Sequence, residues 1–492
     1  MDYVAMDKKL EPVAQLLLAK KPKMALERLQ FMLHQGVFLP EEMWRVYQRL
    51  GNCYFALLDI DKAREMLWSC LMHPEGMPLR KQQESYSNYL FISHYSAQIS
   101  DEELREKHFI YNQLMRNNIL FKHRKRHHKK LRIGYLAPMH CKNVVSFFSV
   151  HLMTMYDRSR FEVYCYSLQE GKDDLTTQLK AQTDGWHVFP ADQKKREMAE
   201  KIYQDEIDIL VDLGVHTFGG KTLQIMGYRP APVQIAGIGY MSTSGLDTVD
   251  YFLTDRYCDP PGQNDEDFSE ALIRLPQSHF CYMPPERILQ CKGVYELHDP
   301  IWFGSFNNIA KITEPVLHCW MEILRRVPQA KLLIKNASNT VWNVTALRQK
   351  MRRLGFPEDR YVVEESSGDY LDRYLDVDII LDTYPYTGGA STCDALLRGM
   401  PVISRYGKRH GTRFSYSLLA NVGLEDLAAA SDEEYIEKAV ALANNPERIK
   451  WIHENLPQIM IKSPIMDVKG YVQQIESVYE QVWHKWMLQA KE

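Results

Sequence analysis

Leu381 to Asp394 reads LDTYPYTGGASTCD and is followed by ALLRGMPVIS. The apolar run Val377 to Leu381 reads as a buried parallel strand, Gly388 and Gly389 permit a tight turn, and Ser391, Thr392 and Asp394 open a helix that Gly399 and Pro401 close. A strand, a glycine turn and a helix N-terminus in that order aim four unpaired backbone N–H groups and the positive end of a helix dipole at one spot. That spot suits a phosphate or pyrophosphate. The same letters also fit an ordinary turn with a Ser/Thr cap and an Asp in the first helical turn, so the local pattern leaves both readings open.

The strand ending in this stretch is one of a series. IWFGSFN from Ile301, AKLLIKN from Ala330, YVVEE from Tyr361, VDIILD from Val377 and PVIS from Pro401 are short apolar runs separated by helical or loop segments. An earlier series has the same character: LRIGYLAP from Leu131, FEVYCYSL from Phe161, IDILVDLGV from Ile207, VQIAGIGY from Val233 and VDYFLTD from Val249. Near-continuous apolar runs alternating with helices predict parallel α/β sheets. Two sheets in tandem, joined through the loop Cys281 to Tyr295, imply a cleft between lobes, with ligands at the carboxyl ends of the strands.

Before the first strand the chain reads as all-helical. Tyr47, Leu50, Gly51, Tyr54, Ala63, Leu67, Cys70 and Pro74 fall close to the tetratricopeptide pattern, and Ala25 and Leu29 mark a degenerate repeat ahead of it. A plain helical hairpin is the alternative. FKHRKRHHKK, Phe121 to Lys130, reads as a solvated basic linker. At the other end, Asp467 to about Gln489 carries Tyr471, Ile475, Val478, Tyr479, Val482 and Trp486 along one face, which must pack on something.

Composition excludes more than it selects. With 492 residues, 45% of them hydrophobic and 25% charged, the chain has ample material for several cores, and a net charge of −3 argues for neither nucleic acid nor an anionic membrane as partner. No uninterrupted apolar run reaches the length of a membrane span, and MDYVAMDKKLEP lacks the apolar core of a signal peptide, so a cytoplasmic location is expected. Nine scattered cysteines without a CxxC pair read as reduced, structural thiols, and no metal site is expected. Asp376 and Asp378 have the DxD form, but Asp378 lies in a run that reads as buried strand.

Several loops together resemble one family, the O-GlcNAc transferase and SPINDLY-like glycosyltransferases, which join tetratricopeptide repeats to a GT-B pair of Rossmann-like lobes. The likeness is carried by RPAPVQIAGIGYMSTSG (Arg229 to Gly245), DYFLTD (Asp250 to Asp255), FGSFNNIAKI (Phe303 to Ile312), LDTYPYTGGASTCDALLRGMPV, GTRFSYSLLANVGL (Gly411 to Leu424) and the closing SPIMDVKGYVQQIESVYEQVW. The order and number of these segments make the match specific. It implies helical repeats over 1–120, a linker over 121–130, an acceptor-side lobe over 131–296, a donor lobe over 297–465 and a returning helix over 466–492.

The resemblance also implies chemistry: a UDP-sugar, most often UDP-GlcNAc, transferred with inversion to Ser or Thr of a protein guided by the repeats, without metal or other cofactor. It places Lys311 and Asn308 beside the diphosphate, the backbone and hydroxyls of Gly388, Gly389, Ala390, Ser391 and Thr392 around it, Asp394 on the ribose and Tyr370 against the uracil. In the opposite lobe, Asp212 and His216 follow a buried strand in DLGVHT and are expected to move the hydroxyl proton and to position acceptor or sugar. Gly239 and Tyr240 belong to the family's sugar-facing loop. Arg413 lies in a matching segment and also fits a packing role.

Departures bear on acceptor chemistry. Met139 and Asn143 stand where the family usually has Asp and His, and Asn cannot take a proton at neutral pH, although it can contact acceptor or sugar. Met241 replaces a common Pro, and the short Cys281 to Tyr295 loop carries no inserted domain, as in bacterial forms. A non-catalytic binding subunit, a UDP-glucose enzyme and an Asn-modifying enzyme remain as alternatives.

Overall fold

The computed structural model describes residues 3–286, 288, 295–337, 344–368 and 370–489. It opens with three helix pairs: α1 (Tyr3–Leu18) with α2 (Pro22–His34), α3 (Met43–Ala56) with α4 (Ile60–Met72), and α5 (Leu79–Ser93) with α6 (Asp101–Tyr111). The crossing of α3 and α4 needs a small residue, because a Cβ on Gly51 would stand 3.0 Å from Leu67 Cγ. Ala25 and Leu29 are fully buried in α2.

Two all-parallel sheets follow. The first has seven strands in the order β3-β2-β1-β4-β5-β6-β7 and the second six in the order β10-β9-β8-β11-β12-β13. Every apolar run of the sequence supplies a strand, β1 (Leu131–Ala137), β2 (Phe161–Ser167), β4 (Ile209–Asp212), β5 (Val233–Gly237) and β6 (Tyr251–Asp255) in the first sheet. In the second they are β8 (Trp302–Ser305), β9 (Lys331–Lys335), β10 (Tyr361–Glu364), β11 (Ile379–Leu381) and β12 (Val402–Arg405). The sheets also hold β3 (Gly185–Val188), β7 (Ala271–Leu275) and β13 (Ala428–Ala429), which the reading missed. They are edge strands; β3 and β7 are half-exposed and β13 is two residues long, so none carries a buried apolar run.

The basic segment is only partly solvated: Lys122, Arg124, His127 and Lys129 face solvent, whereas the residues between them are half-buried against the protein, which qualifies the sequence reading. Its charges find partners on the first lobe: Arg126 pairs with Glu206 at 2.6 Å and His128 with Asp208 at 2.9 Å, while Phe121 stacks on Tyr203 at 4.6 Å. Lys125 reaches further, donating to the carbonyl of Met487 at 2.7 Å. The segment is a strap.

The closing helix, Val468–Leu488, returns from the second lobe to the first. Its buried face meets β1 and its flank, with Tyr479 bonded to Tyr135 at 3.0 Å and Arg160 to Glu476 at 2.5 Å. Asp378 is fully buried and accepts from Tyr295, His298 and the Trp302 N–H, so the DxD letters serve strand packing. Of the nine cysteines, Cys291 lies outside the described residues and the other eight are free, seven of them buried. Part of the inter-lobe loop, Arg287 and residues 289–294, also lies outside them.

Candidate active site

Asn308 and Lys311 arise from the loop after β8. Asn308 caps a single helical turn, Ile309–Lys311, by accepting the Ala310 N–H at 3.0 Å. That turn aims Lys311 across the lobe, where its ammonium donates to the Thr387 carbonyl at 2.9 Å and lies 3.7 Å from the centre of the Tyr386 ring. Enclosure lowers the Lys311 pKa from 10.5 to about 8, with Asp382 pulling the other way. The lysine thus ends beside the glycine turn.

The turn is organised by Asp382, a residue the sequence reading left unassigned. Its carboxylate accepts the N–H of Thr383 at 2.8 Å and of Gly388 at 3.0 Å, together with the hydroxyls of Ser404 at 2.7 Å and Ser415 at 2.6 Å. Gly388 is required for space: a Cβ there would stand 2.3 Å from Thr392 Oγ1. Its N–H is already bound, so the expectation that it serves a ligand is corrected. The helix Ala390–Leu397 begins after Gly389, which leaves the N–H groups of Gly389, Ala390, Ser391 and Thr392 without helical partners. Asn307 links this end to Asp382, donating to it at 3.1 Å while accepting from Ser391 Oγ at 2.8 Å.

Asp394 lies in the second helical turn rather than the first, so it is no dipole-complementing acid. It is 4% exposed and accepts the hydroxyls of Tyr282 and, at 2.5 Å, Tyr370. Burial raises its pKa from 3.8 to about 6 against the pull of the two hydrogen bonds. Tyr370 and Asp394 are therefore neighbours. Tyr282 gave no local signal in the sequence, being 112 residues from its partner.

In the opposite lobe the expected roles of Asp212 and His216 are corrected. Asp212 is fully buried and spent on its own loop, accepting from the N–H of Gly214 at 2.8 Å and of Val215 at 3.2 Å and from Thr222 Oγ1 at 3.0 Å. Burial raises its pKa to about 6. His216 is also fully buried, with Nδ1 3.0 Å from Ser87 Oγ on α5 and Nε2 2.9 Å from the Ser244 carbonyl. Nε2 must donate to that carbonyl, so Nδ1 accepts, and burial holds the ring neutral, well below its usual pKa. Neither side chain is open to a substrate. Asp212 ties the end of its strand to its own loop, and His216 joins that loop to the helical region.

Gly239 and Tyr240 belong to the same junction. A Cβ on Gly239 would stand 1.8 Å from the Leu213 carbonyl, so the glycine admits a neighbouring strand loop rather than a donor. The Tyr240 hydroxyl bonds His108 of α6 at 2.9 Å, and its side chain is buried. Asn143 is half-exposed after β1, but its Oδ1 accepts the Ser146 N–H at 3.1 Å, closing the entry to the helix Ser146–Thr154. His140 is buried and held near pKa 4 by desolvation.

The lobes meet through Arg413, which donates to the Tyr257 carbonyl at 2.7 Å and lies 4.9 Å from the Tyr416 ring, a packing role. Asp255, Cys258 and His279 form the single metal-like trio among the described residues. The Asp255 carboxylate is already shared among the Cys258 and His279 N–H groups, the His279 ring and Ser417 of the other lobe. A groove of 1130 Å³ runs between the helical region and the second lobe, lined by Tyr54, Asp61, Tyr95, Gln98, Thr313 and Lys350 among others. Thr313 is two residues from Lys311.

Two facing parallel α/β lobes, with the helix N-terminus, the lysine and the tyrosine-bound carboxylate gathered at the carboxyl ends of the second sheet, define the GT-B class of fold. The chain belongs to glycosyl transferase family 41, whose profile matches residues 110–283 and 282–475. It is 35% identical over 371 residues to "Probable UDP-N-acetylglucosamine-peptide N-acetylglucosaminyltransferase SPINDLY" of Solanum lycopersicum, covering 73% of this chain and 39% of that protein. It is 27% identical over 372 residues to the SEC protein of Arabidopsis thaliana that bears the same enzyme name, covering 72% of this chain and 37% of that protein. The chain thus spans about two fifths of the length of these curated relatives. A solved O-GlcNAc transferase of Thermobaculum terrenum, a lysine-to-methionine mutant, superimposes with a TM-score of 0.82 at 25% identity over 99% of both chains.

Proposed function

We propose that this chain moves a sugar, GlcNAc, from a UDP-sugar to Ser or Thr hydroxyls of a protein, with inversion and without a metal. The observation that carries the reading is the Lys311 ammonium held on the Thr387 carbonyl, beside the free N–H groups of Gly389 to Thr392. The names of the relatives support the choice of GlcNAc and of a peptide acceptor.

In this reading the diphosphate lies on the helix N-terminus, the ribose hydroxyls meet Asp394, and the uracil lies against Tyr370. The acceptor hydroxyl attacks the anomeric carbon from the face opposite UDP and loses its proton to water, while the bond to the β-phosphate oxygen breaks and its electron pair leaves with UDP. Lys311 and the N–H groups meet that charge where it develops, supplying the role a divalent cation plays in other transferases. Asp212 and His216 are not assigned the acceptor proton. The groove ending at Thr313 guides the polypeptide, and residues 1–120 form one of its walls. The location is cytoplasmic, which agrees with free cysteines; no described helix is long and apolar enough to cross a membrane.

The test is incubation with radiolabelled UDP-GlcNAc and lysate, with UDP release followed for each UDP-sugar. Labelled protein supports the reading, and neither labelling nor UDP release would end it. The burial of Asp212 and His216 favours one second reading, a subunit that binds acceptor or partner without catalysis. UDP calorimetry separates the two, since a degenerate site binds none.

A further inference from the structure

The ring of Tyr95 meets that of Tyr386 edge to face, with centroids 5.3 Å apart at 81°. Tyr95 follows α5 and belongs to the helical region, whereas Tyr386 belongs to the loop that carries the glycine turn. Behind Tyr95, Phe55 of α3 and Phe91 of α5 pack at 5.9 and 5.6 Å, so its ring is backed by two helices. In front, Tyr386 is the ring against which the Lys311 ammonium lies at 3.7 Å. Its other aromatic neighbour, Phe414 of its own lobe, is farther off at 6.3 Å. The helical region thus touches the donor-site lysine through a single intervening ring.

We propose that Tyr95 is a positioning residue for sugar transfer: it fixes Tyr386, and through it the Lys311 ammonium, in the place where the leaving diphosphate develops its charge. The proposal rests on the reading of the preceding subsection and extends it to coupling between acceptor and donor sites. A half-buried ring with one side unsupported can turn, and the ammonium then loses its cation–π partner and takes up water. Tyr95 also lines the groove whose far wall carries Thr313, so a polypeptide lying there presses on the residue that sets Lys311. Acceptor engagement and charge stabilisation then share one contact. Among the described residues, the groups facing Lys311 are Tyr386, the Thr387 carbonyl and Asp382, which acts on it through space.

The test is a kinetic comparison of full-length wild type, Tyr95→Leu and Tyr95→Phe, with folding checked by thermal melts. Tyr95→Leu should lower kcat about tenfold with donor KM changed by less than about threefold, and should move the basic limb of kcat/KM to higher pH as Lys311 hydrates. Tyr95→Phe should restore both. A folded Tyr95→Leu with wild-type kcat and an unmoved limb overturns the proposal, as does a Tyr95→Phe that is as impaired as Tyr95→Leu. Should Tyr95→Leu not fold, Tyr95→Met and Tyr386→Leu, alone and combined, replace it: non-additive losses support the contact and additive losses overturn it. A wild type inactive with every UDP-sugar sinks the transferase reading instead. The contact is then tested by NMR titration of labelled Lys311, where an unchanged midpoint in the Tyr95 variant overturns it and a raised one supports it.

Discussion

The carboxylate of Asp382 accepts the backbone N–H of Gly388 at 3.0 Å, closing the glycine turn from within the protein. The donors left over begin one residue later, at Gly389, and are presented by a turn that Asp382 already closes. Preorganisation of this kind is what a charged leaving group needs, since the site does not have to rearrange at the moment of reaction.

Gly388→Ala and Gly389→Ala should therefore behave differently. A methyl on Gly388 meets Thr392 Oγ1 at 2.3 Å and Asp382 Oδ1 at 3.2 Å, whereas one on Gly389 approaches nothing nearer than 3.9 Å. Calorimetry with UDP should show affinity weakened by roughly 2 kcal/mol or more for the first and nearly unchanged for the second. Equal losses would contradict this geometry.

Lys311→Ala should lower turnover by roughly a hundredfold, on the order of 3 kcal/mol, if the ammonium meets leaving-group charge. Only the protonated amine can do this, and its pKa is lowered to about 8, so kcat/KM should fall as pH rises through about 8 rather than above 10. A flat rate profile to pH 9.5, or full activity in the alanine variant, would remove the assigned role.

Asp394→Asn should separate binding from folding. Its carboxylate holds Tyr282 and Tyr370, and an amide keeps one acceptor oxygen, so the melting temperature should change by only a few degrees. UDP affinity should drop about tenfold or more, whereas uridine-free diphosphate should be little affected. In the wild type, affinity for UDP should decline as pH falls through about 6, where this carboxyl takes up its proton.

His216→Ala should be a stability variant. Losing bonds to Ser87 and Ser244 at a buried junction should cost about 1–3 kcal/mol in unfolding free energy, with UDP affinity unchanged. Acid should do similar damage in the wild type. His108 and His140 are held near pKa 4 and His151 near 3 by burial, below the 6.5 of the unfolded chain. The unfolded state then binds more protons between pH 6.5 and 4, and stability falls with falling pH by roughly 2 kcal/mol per such histidine at pH 5. Asp212 and Asp394, raised to about 6, act in the opposite sense between pH 6 and 4 but are fewer. Thermal melts from pH 7.5 to 4.5 decide the balance, and a rising melting temperature on acidification would refute it.

What the sequence disclosed follows the range of the interactions. Central strands were legible because burial on both faces writes an unbroken apolar run, as in Ile209–Asp212 and Ile379–Leu381. The half-exposed Gly185–Val188 and Ala271–Leu275 leave no such record. On the donor side, the turn and the helix after it lie in one short segment and could be read together. Asp382 was visible as a polar residue ending a buried strand, but its role depends on Ser404 and Ser415, which no local pattern connects. Asp212 and His216 misled for a related reason: a polar residue at a strand end faces a cleft, its own loop or a neighbouring domain, and here Asp212 is closed by its loop while His216 meets the helical region.

The strap of residues 121–130 bears on how the molecule can be taken apart. Because Lys125 grips the backbone at Met487, the start of the first lobe and the last turns of the chain are spliced at one place. A cut at residue 120 would strand Phe121 from nothing it touches, yet it would strip Ser87 from His216 and His108 from Tyr240, baring a polar seam. The helical part is accordingly no interchangeable adaptor, and swapping it for another repeat array calls for rebuilding that seam residue by residue.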